Sequence, residues 1–267
     1  MHKQPFTQTL KTATHRILLS VGLAVGLSAC MGLAGAAGAG GDTWQEEALL
    51  HDGRTIVVER SQTYGGRHEI GQSVPAKEHT IRFKLPNNNT VTWTSEFGEG
   101  LGRTNFNVLA LHIKNDTPYL IVEPNLCLSY NKWGRPNPPY LIFKWAPNAW
   151  TRIDMGALPP EFKTINLIVN NSRIEEIQEN SKAKGYVPAA YVKVMNGRLP
   201  QPEYRSILRE AVNYDPSCIP MVTNGKGLWR AQAWFSKKPS LEACLAGCKS
   251  ENFDAASCPC NQIFEGK

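Results

Sequence analysis

The feature that most constrains this chain is a series of short extended runs, each closed by a turn built from Asn, Asp, Pro or Gly. Thr80-Ile81-Arg82-Phe83-Lys84-Leu85 alternates polar and apolar residues, the period of a half-buried strand. Pro86-Asn87-Asn88-Asn89 follows as a turn, and Thr90-Val91-Thr92-Trp93-Thr94 returns as a β-branched partner. Ala48 to Glu59 reads as two extended runs around Asp52-Gly53, a favoured hairpin turn because both residues tolerate positive φ. Phe106 to Ile113 is apolar at nearly every position and predicts a strand buried on both faces. Asn115-Asp116-Thr117-Pro118 turns it, and Tyr119-Leu120-Ile121-Val122 returns. Tyr140 to Trp145 and Trp150 to Ile153 flank Pro147-Asn148 as a further hairpin, and Thr164 to Val169 closes the series. About nine strands at short, regular spacing predict a mainly β core, an antiparallel sandwich or barrel spanning residues 44–170.

The pattern then changes. Ser172-Arg173-Ile174-Glu175 has capping-box spacing and predicts a helix to Lys184, stopped at Gly185. Pro202 to Val212 predicts a second helix, with Tyr204, Ile207, Leu208 and Ala211 on one face. Ser240 caps a third, carrying Cys244 and Cys248. Residues 171–267 are thus expected as an α-containing, cysteine-rich region packed on the β core, making the whole α+β.

Besides Cys30, the cysteines are Cys127, Cys218, Cys244, Cys248, Cys258 and Cys260. An even set in an oxidising compartment reads as a disulfide framework, of which fifteen connectivities exist. Cys258-Pro259-Cys260 is too tight for those two to pair, so they face different partners. The last four are expected to form one local staple, and a Cys127–Cys218 pairing would tie the tail to the β core. The rival is a Cys₄ zinc site at Cys244, Cys248, Cys258 and Cys260, whose spacing matches no common zinc ribbon. No metal and no cofactor are expected.

The first sixteen residues hold Lys3, Lys11 and Arg16 and no acid, and an uncharged apolar run from Ile17 to Ala29 follows. Its end, Leu27-Ser28-Ala29-Cys30, matches a lipobox at all four positions, and the segment resembles a bacterial lipoprotein signal. That resemblance implies removal of residues 1–29, lipidation of Cys30, and a Gly/Ala-rich tether over residues 30–43. Met31, where an inner-membrane retention Asp would stand, implies the outer membrane facing the periplasm. Ala34-Gly35-Ala36 and Ala37-Gly38-Ala39 keep open cleavage by an ordinary signal peptidase, which would give a soluble secreted periplasmic protein. Losing the signal would lower the net charge from +6 by three, a mild balance that argues against a nucleic-acid binder.

A looser likeness lies in His51-Asp52-Gly53-Arg54, Tyr64-Gly65-Gly66-Arg67-His68-Glu69, Asn125-Leu126-Cys127-Leu128 and the Tyr130 to Tyr140 stretch. Over roughly residues 44–170 the chain resembles exported proteobacterial proteins that have no assigned activity. The resemblance implies an address and no chemistry.

Catalytic motifs are missing from the sequence. It holds no Gly-x-Ser-x-Gly and no His-Glu-x-x-His, and Gly98-Glu99-Gly100-Leu101-Gly102 lacks the third glycine spacing of a dinucleotide site. His112 falls in the most apolar run and reads as a core histidine. Arg67, His68 and Glu69 form the most polar group near a turn and are the candidate polar site. Trp133, Tyr140, Trp145 and Trp150, interleaved with amide and guanidinium groups, are the candidate binding aromatics, with core packing as the alternative. The expectation is a lipid-anchored envelope protein that binds or scaffolds another envelope protein or a glycan. An envelope hydrolase with a site assembled from loop residues is the alternative, and its catalytic residues are not legible.

Overall fold

A computed structural model describes residues 41–146, 148–169, 173–212 and 218–265. The signal, Cys30, most of the tether and Ser172 lie outside the described residues. The first sheet is an antiparallel meander of β1 (Gly41–Leu49), β2 (Thr55–Tyr64), β3 (Ala76–Lys84) and β4 (Thr90–Ser95). A two-residue pair, β5 (Phe97–Gly98) and β6 (Arg103–Thr104), follows. The second sheet is another meander. It contains β7 (Phe106–Lys114), β8 (Thr117–Pro124), β9 (Leu141–Ala146) and β10 (Ala149–Ile153), ordered β10-β9-β8-β7. Helix α1 (Leu126–Lys132) interrupts the path from β8 to β9. β1 starts at Gly41, three residues inside the stretch read as tether.

The turns explain these hairpins. Asn115 and Asp116 both adopt positive φ (48° and 56°) between β7 and β8, the mirror-image turn that matches strand twist. Asn88 and Asn148 do so at the other tips. The β1–β2 connection is longer than a two-residue turn: Leu49 faces Thr55, and Leu50 N–H donates to the Arg54 carbonyl at 2.7 Å.

The sheets pack face to face. Ala48, Val58, Ile81, Phe83 and Trp93 of the first meet Phe106, Val108, Leu111, Leu120 and Leu141 of the second in one apolar cluster. Complete burial of each Val, Leu, Ile or Phe among them stabilises by about 1.5–3 kcal/mol. The first sheet alternates buried and exposed positions, whereas β7 and β8 are buried almost throughout. The reason is a third layer. Leu109, Ala110, Tyr119, Ile121 and Ile142 face away from the first sheet and are covered by Leu158, Phe162, Ile165 and Ile207. A register shift between Val108 and Ala110 lets β7 place the consecutive residues Leu109 and Ala110 on the same face, toward the third layer.

Residues 164–169 correct the sequence reading. They form no strand; their β pairing is a single bridge from Thr164 to Ser206. Side-chain amides supply much of their hydrogen bonding, beside backbone bonds from Ile165 to Arg205 and from Leu167 to Leu109. Asn166 accepts from Leu111 N–H at 2.9 Å and donates to the Leu111 and Leu49 carbonyls. Asn196 accepts from Val169 N–H and donates to the Leu167 carbonyl. The helix expected at Pro202–Val212 is likewise only a 3₁₀ turn, Pro202–Tyr204. Beyond it the chain runs beside residues 163–165, with Ile207 N–H donating to the Lys163 carbonyl at 2.9 Å.

Two helices, α2 (Ile174–Ser181) and α3 (Ala189–Gly197), pack Ile177, Val187, Val192 and Met195 around Trp44 of β1. The carboxy-terminal segment holds the hairpin β11 (Met221–Thr223) and β12 (Trp229–Ala231), then α4 (Gln232–Ser236), α5 (Leu241–Ser250) and α6 (Cys260–Phe264). Ser240 caps α5 as its position implies, its Oγ accepting from Ala243 N–H.

Three disulfides form: Cys127–Cys218, Cys244–Cys260 and Cys248–Cys258, with Cα separations of 5.2, 5.8 and 5.9 Å. Cys258 and Cys260 therefore face different partners. The rival zinc site places Cys248, Cys258 and Cys260 in one cluster, but every sulfur in it is bonded in a bridge. Around the two local bridges Phe235 and Phe253 complete a small core.

Candidate functional site

β8 carries Tyr119, Ile121 and Glu123 on the face turned to the third layer. The first two fill that layer's core, and Glu123 lies beyond its edge, opposite Asn107 of β7. The chain then breaks sharply. Leu126 takes φ of 63°, a left-handed conformation unusual for a branched side chain, and is 61% exposed. This bend starts α1 and sets Cys127 for its bridge to Cys218. From the other side the Pro202–Tyr204 turn delivers Glu203 and Tyr204. Between these elements is a cavity of about 190 Å³, lined by Asn107, Glu123, Leu126, Tyr130, Tyr204 and the Cys127–Cys218 bridge among others.

Glu123 is the one ionisable carboxyl in that lining among the described residues, and it is 93% buried, since 7% remains exposed. Its Oε1 accepts from Asn107 Nδ2 at 3.1 Å and from Tyr204 Oη at 3.2 Å. Its Oε2 accepts no hydrogen bond among the described residues. Burial disfavours the charged form and raises its pKa to about 7; the two hydrogen bonds pull the other way, and the negative charge of Glu203 adds to the rise. Tyr140 stands behind, its hydroxyl 3.1 Å from the carbonyl oxygens of Glu203 and Ser206. Burial is the main reason that this hydroxyl is driven above its ordinary range.

The cleft wall is held from below by α1 and the loop after it. Asn131 donates to the Cys127 and Ile219 carbonyls and accepts from Met221 N–H at 2.9 Å. Arg135 stacks on Tyr130 and donates to the Cys218 carbonyl at 2.9 Å. Asn137 exchanges two hydrogen bonds of 2.9 Å with the Val212 backbone. The loop with its prolines is thus a clamp on the returning chain.

A second polar group lies on the buried face of the first sheet, under the 165–169 segment. Glu46 and Arg60 are both essentially fully buried and pair at 2.6 Å. Glu46 also accepts from Trp44 Nε1 at 3.1 Å and from Ile168 N–H at 3.3 Å. His79 is 3% exposed, and its Nδ1 has no hydrogen-bond partner among the described residues. Burial, reinforced by the Arg60 charge, lowers its pKa to about 3. This group fastens β1, β2 and the 165–169 segment and is structural. His112 is equally buried, stacks on Phe162 at 4.7 Å, and holds the Thr164 carbonyl through Nε2 at 2.9 Å. Burial takes it to about 4.

The candidate residues named from sequence separate. Arg67, His68 and Glu69 occupy the exposed loop between β2 and β3; His68 Nδ1 lies 3.0 Å from the Gly66 carbonyl. They line no cavity with Glu123. Gly66 belongs to a tight crossing, since a Cβ there would meet the Gly102 carbonyl oxygen at 2.2 Å. The four aromatics do not form one surface either. Tyr140 is buried behind the cleft. Trp133 packs on Phe106 at 4.8 Å. Trp145 and Trp150 pack edge to face at 5.3 Å, and Trp150 donates to the Thr92 carbonyl, linking the two sheets. Glu123 and Tyr204 gave no sequence signal beyond an acid closing an apolar strand, Tyr119-Leu120-Ile121-Val122-Glu123. No protein-family model, curated protein or solved structure matches the chain in comparison.

Proposed function

We propose that this chain is an exported, lipid-anchored binding protein of the bacterial cell envelope, and that the Glu123 cleft is its ligand site. The observation that carries the reading is a buried carboxyl at one end of a rigid double-sheet body, opening into a cavity beside a disulfide. A cavity where a few polar groups converge among apolar side chains is the ordinary form of a binding site. Three bridges among six cysteines support an oxidising compartment. The lipobox at Leu27 to Cys30 supports anchoring to the outer membrane facing the periplasm, and intact mass of the membrane-extracted chain tests it. Acyl mass on a chain starting at Cys30 supports the anchor; an unacylated start at Ala37 or Gly40 overturns it. No described helix is long and apolar enough to cross a membrane.

The binding reading is tested by a photo-crosslinking residue at Leu126, on the lip of the cleft, in the full chain within native envelopes. A discrete adduct, absent when the same group replaces exposed Val57 on the first sheet, supports it. Identical adducts at both positions overturn it. One observation favours hydrolysis as a second reading: Glu123 is half-protonated near neutrality with Glu203 beside it, as a general acid needs. Turnover of envelope glycan or peptide, lost in Glu123→Gln, would establish that reading instead.

A further inference from the structure

We infer that the Glu123 cleft takes a primary ammonium group at the end of a short alkyl chain. The inference rests on the cleft being the ligand site and adds the chemistry of its ligand.

Size comes first. About 190 Å³ is below the roughly 300–1,000 Å³ of sites that enclose whole small molecules, so the cleft suits a chain end. Charge comes next. No Lys or Arg lines the cleft among the described residues. Glu203 adds negative field from behind. Arg135, the cation stacked on the wall residue Tyr130, gives its Nη1 to Asn131 Oδ1 and the Cys218 carbonyl. The buried carboxyl therefore has no counter-ion among the described residues, and a cation entering the cleft restores its charged form.

Shape then separates the cations. A guanidinium uses its planar fork best on two free carboxylate oxygens. Here Oε1 already accepts from Asn107 and Tyr204, which leaves Oε2. A compact ammonium needs only that oxygen and has further donors for neighbouring acceptors. A divalent metal needs several oxygen ligands, and the described acidic groups form no such cluster. Tyr130 and Tyr204 are aromatic walls that tolerate both the alkyl stem and the charge.

The test is calorimetric titration of the full detergent-extracted chain with n-butylammonium, n-butanol, butyrate and n-butylguanidinium. Saturable binding of n-butylammonium at pH 8, at least tenfold tighter than the other three, is expected. With the acid titrating at about 7, affinity falls about thirtyfold at pH 5.5, as the ionised fraction does. Glu123→Gln removes the preference for the cation. Because that variant also alters the fold's buried polar set, the four-probe comparison on the unaltered chain stands independently. Tighter binding of Nα-acetyl-lysine amide than of n-butylammonium assigns the group to a protein or peptide side chain; the reverse order assigns it to a free amine. Equal or tighter binding of butanol, butyrate or the guanidinium overturns the ammonium inference while the cleft remains a ligand site. Failure of every probe, together with identical crosslinking at Leu126 and Val57, overturns both.

Discussion

The double-sheet body and the carboxy-terminal segment are stabilised in opposite ways. In the body, two meanders share a continuous apolar interior, and the first of them also carries a sealed ion pair. In the segment after residue 218, a handful of apolar side chains gather around two disulfides. The difference follows from composition. β7 and β8 supply nearly uninterrupted apolar residues, while the tail is rich in Gly, Pro, Asn and Ser and buries little. Chain that cannot exclude water from enough surface is ordered by covalent links instead.

The sharpest way to break this contrast is to remove the polar element from the body. Glu46→Ala strands the buried Arg60 charge and frees the Ile168 amide, and is expected to cost about 3–5 kcal/mol in denaturant unfolding. Glu46→Leu with Arg60→Met is expected to recover most of that loss. If the single variant costs under about 1 kcal/mol, the ion pair is not structural.

Removing bridges probes the other side. Cys127→Ser with Cys218→Ser opens a loop of 91 residues and is expected to cost about 4.6 kcal/mol, against about 3 for Cys248→Ser with Cys258→Ser, whose separation is 10. Hydrogen exchange should show the local pair loosening α5 and α6 while β7 and β8 stay protected. Uniform loss of protection would mean that the segment and the body open as one unit.

Acidity discriminates between groups within the body. His79 and His112 have folded pKa values near 3 and 4 against 6.5 unfolded, so they stay neutral when the unfolded chain takes up protons. Their stabilisation is complete above pH 6.5 and is lost as pH falls through that window, on the order of 5 kcal/mol for His79 and 3 kcal/mol for His112. Glu123 has the reverse sign. Raised from 4.5 to about 7, it favours the folded state below pH 4.5, and this is lost as pH rises to 7. Urea midpoints between pH 4 and 8 should therefore fall less on the alkaline side in Glu123→Gln. Parallel profiles for the two chains would rule out titration of Glu123 in that range.

The smallest effect tests the local order of the tail. Ser240→Ala removes the cap of α5 and is expected to cost about 1 kcal/mol. Circular dichroism with the bridges intact should lose little helix, and with them reduced should lose more. An equal loss in both states would show that the bridges do not support α5.

Hairpins were legible because their signals are local. Asn115-Asp116 and Asn88 name their own backbone conformations, and alternation names the buried face. The third layer was not legible, because much of its hydrogen bonding comes from Asn166 and Asn196, distant in sequence from the backbone groups they satisfy. Tyr204, Ile207 and Leu208 have helical spacing, yet Ile207 is buried against the second sheet and Arg209 gives its guanidinium to the Leu158, Pro159 and Phe162 carbonyls. Those contacts override local preference. Helix α3 did carry a signal, Pro188 before Ala189-Ala190, which fits a helix start. The cleft was hidden for a different reason: Glu123 becomes exceptional only when residues 202–204 fold over it.

Strict chain order within each sheet has a consequence for how the molecule forms. Every main strand pairs with a neighbour next to it in sequence, so hairpins can close quickly as the polypeptide emerges, with little loop entropy to overcome. Cys127 is different. It appears with β8 already in place and waits for Cys218, 91 residues later, before it can be oxidised to its native partner. During that interval its thiol is exposed to wrong pairing, and the cleft that it borders is completed only once Cys218 has arrived.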